Sequence, residues 1–148
     1  MVVINNHYLF NKEFEEIRLL PMSKDEFDTY ENVCNWLNSG MHDGEGKYYY
    51  KRRNISTNNN VLVMFQYNGE VIATAIMIDQ EKFNDSVEGY SGIYYFDRDS
   101  ILVLKETINK FDIQKIDKTF KNFSQASTRF NKDTYGAFIN LINKKVGK

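Results

Sequence analysis

The spacing of hydrophobic positions changes character twice along this 148-residue chain. In SKDEFDTYENVCNWLNSG, residues Phe27, Tyr30, Val33, Cys34 and Leu37 recur on one face of a helix. Ser23 and Glu26 make an S-x-x-E capping box, Asp25 and Glu26 suit the positive end of the helix dipole, and Gly40 supplies a stop. The pattern predicts a helix here, with Trp36 off the apolar stripe, and a short strand at the preceding IRLLP. From Lys47 to Leu104 the period becomes that of strands. VLVMFQY and VIATAIMI flank Asn68-Gly69, whose two positions both accept positive φ, so residues 61–67 pair with 71–78 in a hairpin. IYYF and ILVL flank Asp97-Arg98-Asp99-Ser100 as a second tight connection, and QEKFNDSVEGYSG between the two hairpins reads as a polar loop. With KYYYKRR, this makes five strands. The period then returns to helical, predicting a short helix near Asp112–Phe120 and a longer one over Lys132–Lys145.

No repeat or Pro/Gly-rich linker divides the chain, whose only proline is Pro21. It reads as one α+β domain, with residues 1–46 as an N-terminal helical extension and 47–148 as a barrel core with a C-terminal helix. Many short, mostly antiparallel strands point to a small curled β-barrel of five or six strands with flanking helices. The N-terminus has no charged region leading into a long apolar core, and the apolar stretches fall short of the roughly 20 residues a spanning helix needs. The one cysteine, Cys34, cannot form an internal disulfide. Cytoplasm is the expected location.

Net charge is −1, but it is unevenly spread. Residues 1–46 carry three Lys/Arg and nine Asp/Glu, whereas residues 101–148 carry ten and four. If the fold keeps these thirds apart, one face attracts polyanions and the other repels them; a sheet that interleaves them erases the polarity.

The segment KYYYKRR places four cations, Lys47, Lys51, Arg52 and Arg53, within seven positions uninterrupted by acid. Strand alternation puts Tyr48, Tyr50 and Arg52 on one side and Lys47, Tyr49, Lys51 and Arg53 on the other. Cations neutralise phosphates and rings stack on bases. A solvated edge-strand face uses lysines in the same way, to prevent edge-to-edge pairing.

Catalytic signatures are missing. His7 and His42 are the only histidines, with no spacing that assembles a metal site, and HDGEG reads as a glycine-rich turn. Ser56, Ser91 and Ser124 lack a nucleophile-elbow setting, and no phosphate-binding glycine fingerprint occurs. No enzyme activity, cofactor or metal is expected.

Aromatic residues number 22. Much of this fills the core, but Trp36, Tyr48, Tyr90, Tyr94 and Tyr95 lie near element ends, where rings can hold an extruded base beside polar groups such as Asn35, Gln66, Ser124 and Gln125.

The runs VLVMFQYNGEVIATAIMI and GYSGIYYFDRDSILVL, with FSQASTRF before a terminal helix, resemble the PUA-like superfamily over roughly residues 47–143. They look most like the EVE-type and related modules of prokaryotic restriction and defence proteins. That resemblance implies a curled barrel with flanking helices that binds RNA or DNA, in the EVE branch often through a modified base in an aromatic-walled pocket. The chain departs from the pattern where Ala73 or Ala75 replaces the glycine after the hairpin and where its one tryptophan sits on a helix. The expected function is a non-enzymatic nucleic-acid-binding module. Lys47, Lys51, Arg52 and Arg53 would hold the backbone, Trp36, Tyr48, Tyr50 and Tyr94 would border a base pocket, and Ser124 and Gln125 would read polar edges. The alternative is a protein-interaction module, an inhibitor or accessory subunit of mobile-element or anti-defence origin, whose acidic front third meets a basic partner.

Overall fold

The computed structural model describes residues 14–22, 24, 27–40, 45–51, 55, 60–123 and 130–146. Six strands form one sheet: β1 (Glu16–Met22), β2 (Lys47–Tyr50), β3 (Val61–Tyr67), β4 (Glu70–Val87), β5 (Tyr90–Phe96) and β6 (Leu102–Ile108). Their order is β1-β3-β4-β5-β2, with β6 also paired to β4. Only β1 runs parallel to its neighbour, β3. The α+β class and the six mostly antiparallel strands match the expectation, but the sheet remains open, with β1 and β2 at its ends.

The sheet is apolar on both sides at its centre, which is why VLVMF and VIATAIM run without polar alternation. On one side, Leu20, Val63, Phe65, Ala73, Tyr94 and Phe96 pack with Val33 and Leu37. On the other, Ile17, Leu62, Met64 and Ile76 meet Ile113 of α2 (Lys110–Gln114) and Phe138, Ile139 and Ile142 of α3 (Tyr135–Val146). β1 draws the front of the chain into the sheet, so residues before 46 contribute more than helix.

The Asn68-Gly69 hairpin forms as expected, with φ of 54° and 83° and Val61 to Tyr67 registered against Met77 to Glu70. The segment after it does not form a loop. β4 continues to Val87, turns at Glu88-Gly89 (φ 53° and 86°) and returns as β5, making a solvated two-stranded arm. Nor do IYYF and ILVL pair with each other. β5 and β6 follow one another along the same edge of β4, separated by a 3-10 turn at Arg98–Ser100. The break is stitched by Ser100, whose buried hydroxyl accepts the Ile76 N–H (2.8 Å) and donates to the Asp97 carbonyl (2.7 Å).

Helix α1 is shorter than the periodicity implied. It spans Tyr30–Asn35, with Thr29 accepting the Asn32 N–H as N-cap, and continues as a π-helical turn over Trp36–Gly40. The expected capping residues Ser23, Asp25 and Glu26 lie outside the described residues. Tyr30, expected on the apolar stripe, is exposed, while Val33 and Leu37 are buried. No helix among the described residues is long and apolar enough to cross a membrane.

Candidate nucleic-acid interface

β2 is an edge strand bonded only to β5, and its burial alternates as its sequence implies. Tyr48 and Tyr50 point into the core, where Tyr48 lies opposite Tyr94 and Tyr50 opposite Gly92. Gly92 is required there, because a Cβ would collide with the Tyr50 hydroxyl and the Glu81 carbonyl. A chain of rings results. Phe27 and Trp36 are 5.5 Å apart, Trp36 meets Tyr48 edge-on at 5.7 Å, Tyr48 and Tyr94 stack at 6.2 Å, and Tyr94 and Tyr50 stack at 4.5 Å.

The inner members of this wall are anchored rather than presented. Tyr94 has no exposed surface, and its hydroxyl accepts the Ile55 N–H at 2.9 Å. Tyr50 is buried and donates to the Glu81 carbonyl at 3.2 Å. Tyr48 retains 8% exposure, and Trp36, packed against the cluster's edge, is only partly buried. Of the four rings expected to border a pocket, Tyr50 and Tyr94 are buried in the core, and Trp36, with Tyr48 behind it, keeps the most exposure. Trp36 reaches this position because the π turn carries its indole over Gly40, where any side chain would run into the ring. Helical spacing alone put it on the flank.

The outward side of β2 carries Lys47 and Tyr49, followed by exposed Lys51. Tyr49 is 46% exposed and lies 5.7 Å from the ring of Tyr90, over which Lys51 Nζ sits at 5.8 Å. The Ser91 hydroxyl fixes the Lys51 carbonyl at 2.9 Å. Acids join this side, because the arm was not foreseen. Asp79 registers with Tyr95 beside Lys47, and Glu81 with Ile93 beside Tyr49. The Tyr95 hydroxyl donates to Glu81 Oε1 at 2.7 Å, and this hydrogen bond, with burial and nearby acids, pushes the Tyr95 pKa up to about 12. Lys47 Nζ also approaches Glu45 at 3.8 Å. The outward face is thus cationic at β2 and mixed one strand further in.

Arg52, Arg53, Ser124 and Gln125 lie outside the described residues, as do His7 and His42. Among the described residues no group of three or more His, Cys, Asp and Glu side chains could hold a metal. Sequence reasoning missed Tyr90 as a partner of Tyr49. The usable signal was the Glu-Gly pair at 88–89, a two-residue hairpin turn that returns Tyr90 toward β2.

Neither a family model nor a curated protein matches the chain. Its fold is shared with solved structures at low identity. The YTH domain of Zygosaccharomyces rouxii MRB1 protein, in complex with N6-methyladenosine RNA, aligns at TM-score 0.57 and 9% identity, over 92% of both chains. Rpa0253 from Rhodopseudomonas palustris aligns at 0.54 and 9%, over 89% of this chain and 93% of that one. The Pho92 YTH domain in complex with m6A aligns at 0.52 and 13%, over 87% and 86%. The architecture is shared with these YTH domains, which fits the α+β fold expected from the sequence.

Proposed function

We propose that this protein is a non-enzymatic nucleic-acid-binding module that reads an extruded or modified base at its Trp36 end. One observation carries the reading. Edge strand β2 carries Lys47 on its outward side, with exposed Lys51 just past its end, while its inward Tyr48 backs the partly exposed Trp36. Backbone charge and a base-facing ring are thereby offered along one edge of the sheet, the charge from β2 and the ring from the π turn packed against it. Arg52 and Arg53 extend the cation row, Tyr50 and Tyr94 brace the ring wall from behind, and Ser124 and Gln125 are assigned to the base's polar edge. Two structures of the same architecture contain N6-methyladenosine or its RNA, which supports a modified base as ligand. A base-reading role of the EVE type belongs to this proposal.

Trp36 is the only tryptophan, so its emission reports on its own site. Titration with single-stranded oligoribonucleotides, with and without N6-methyladenosine, should change that emission as the complex forms. Binding detected by anisotropy with unchanged Trp36 emission would place the base elsewhere.

A protein-partner reading has one specific support. Exposed Tyr30 lines a groove of about 220 Å³ together with the acids Asp28 and Glu70 and one cation, Lys24, and Glu31 follows it in sequence. Charge reversal at Asp28 and Glu31 would abolish such an interaction while leaving oligonucleotide affinity intact.

A further inference from the structure

We infer that the outward rings Tyr49 and Tyr90 form a second stacking platform, separate from Trp36, for unpaired bases of a single-stranded nucleic acid. The inference rests on the nucleic-acid reading above and adds a substrate class to it. Tyr49 stands 46% exposed on the outward side of β2, while its neighbours Tyr48 and Tyr50 are buried on the opposite side. No core packing accounts for so large a ring in this position.

Its partner Tyr90 comes from the arm, immediately after the Glu88-Gly89 turn, and the two ring centroids are 5.7 Å apart with planes at 59°. Rings so tilted cannot share one flat ligand face. They offer differently directed faces, which suits successive bases splayed from a flexible strand. Bases within a duplex are covered above and below by their neighbours, so the same rings have nothing to stack on there.

Cations bracket the pair. Lys47 lies two residues before Tyr49, and Lys51 two residues after it, with Nζ 5.8 Å from the Tyr90 ring. The two lysines flank the ring along the chain, Lys47 at the start of β2 and Lys51 just past its end. The hydrogen bond from Ser91 to the Lys51 carbonyl ties the arm to the end of β2, so the platform is held by two strands. The arm's acids limit net attraction, and Glu81 is already engaged by the Tyr95 hydroxyl. Stacking, more than charge, is therefore what this platform contributes. Its loss should lower affinity without changing salt dependence.

The test uses the full chain and a labelled single-stranded oligoribonucleotide of mixed sequence, followed by anisotropy at two salt concentrations. Replacing each ring's stacking face in Y49A/Y90A should weaken binding by at least about 5- to 150-fold, the range for a single lost stacking contact, with the salt slope retained. The Y49F/Y90F variant, which keeps both ring faces, should bind like the wild type and show that the arm remains folded. Binding of blunt duplex RNA should be indifferent to both variants. If wild-type binding is salt-sensitive yet Y49A/Y90A binds equally well, the platform is overturned while the nucleic-acid reading stands. If Y49F/Y90F binds as weakly as Y49A/Y90A, the effect is not stacking and the inference fails. If the wild type binds no oligonucleotide, both are overturned.

Discussion

Tyr50 and Tyr94 stack with centroids 4.5 Å apart and planes at 30°, and the space for Tyr50 exists because the residue opposite it is Gly92. The contact joins edge strand β2 to β5 through side chains as well as through the ladder. It therefore holds the cation row of β2 in place, although neither ring reaches solvent.

Substituting Gly92 by alanine should test this arrangement. The new methyl would meet the Tyr50 hydroxyl and the Glu81 backbone carbonyl, and the backbone cannot move aside cheaply. Overpacking of this kind costs about 1–3 kcal/mol. Urea unfolding should show a lower midpoint, and unchanged stability would mean that Tyr50 has an alternative position.

A second test concerns the break between β5 and β6. The buried Ser100 hydroxyl accepts the Ile76 N–H at the point where β4 passes from pairing with β5 to pairing with β6. Ser100→Ala leaves that buried donor unsatisfied, for a loss of about 1–3 kcal/mol. Denaturant melts measure it, and Ser100→Thr should retain more stability than alanine if the hydroxyl matters.

Tyrosine ionisation gives a third. The hydrogen bond to Glu81 raises Tyr95 to about 12, while partial burial, with Cys34 and Glu70 nearby, raises Tyr30 to about 12. An ordinary tyrosine titrates near about 10. Because the folded pKa lies above the unfolded one, any stabilisation from these groups is fully present below about pH 10 and is lost as pH rises through about 12. Ultraviolet absorbance should show late-titrating tyrosines in the native protein that move to lower pH in urea. Tyr95→Phe should remove part of the late phase, and an identical titration curve would argue against the Glu81 contact.

Where the sequence was legible, a local rule coincided with a buried face. Asn68-Gly69 was readable because both positions need positive φ and both flanks are core. The β2 alternation was readable because one side of that strand is buried and the other is not. The arm was not, since residues 79–87 lack a consistently buried face and so carry no hydrophobic period. That one omission also hid the correct pairing of β5 and β6, which needs a β4 long enough to hold both in sequence along one edge. The helical period placed Val33 and Leu37 inward, as found, but did not show the exposure of Tyr30, and no residue type announces the π turn over Trp36–Gly40. Parity identifies which rings share a side, but not which of them are buried: Tyr50 and Tyr94 stack within the core, and only their packing decides that.

The most direct test of the central claim is the affinity of the full chain for a labelled single-stranded oligonucleotide at two salt concentrations, for wild type and for K51E/R52E. If β2 holds the backbone, wild-type binding falls steeply as salt rises. The double reversal should then weaken binding to all sequences alike and flatten the salt slope by about 0.7 per lost phosphate contact. Equal affinity and equal slope in the two proteins would contradict the assignment of the β2 cations to the interface.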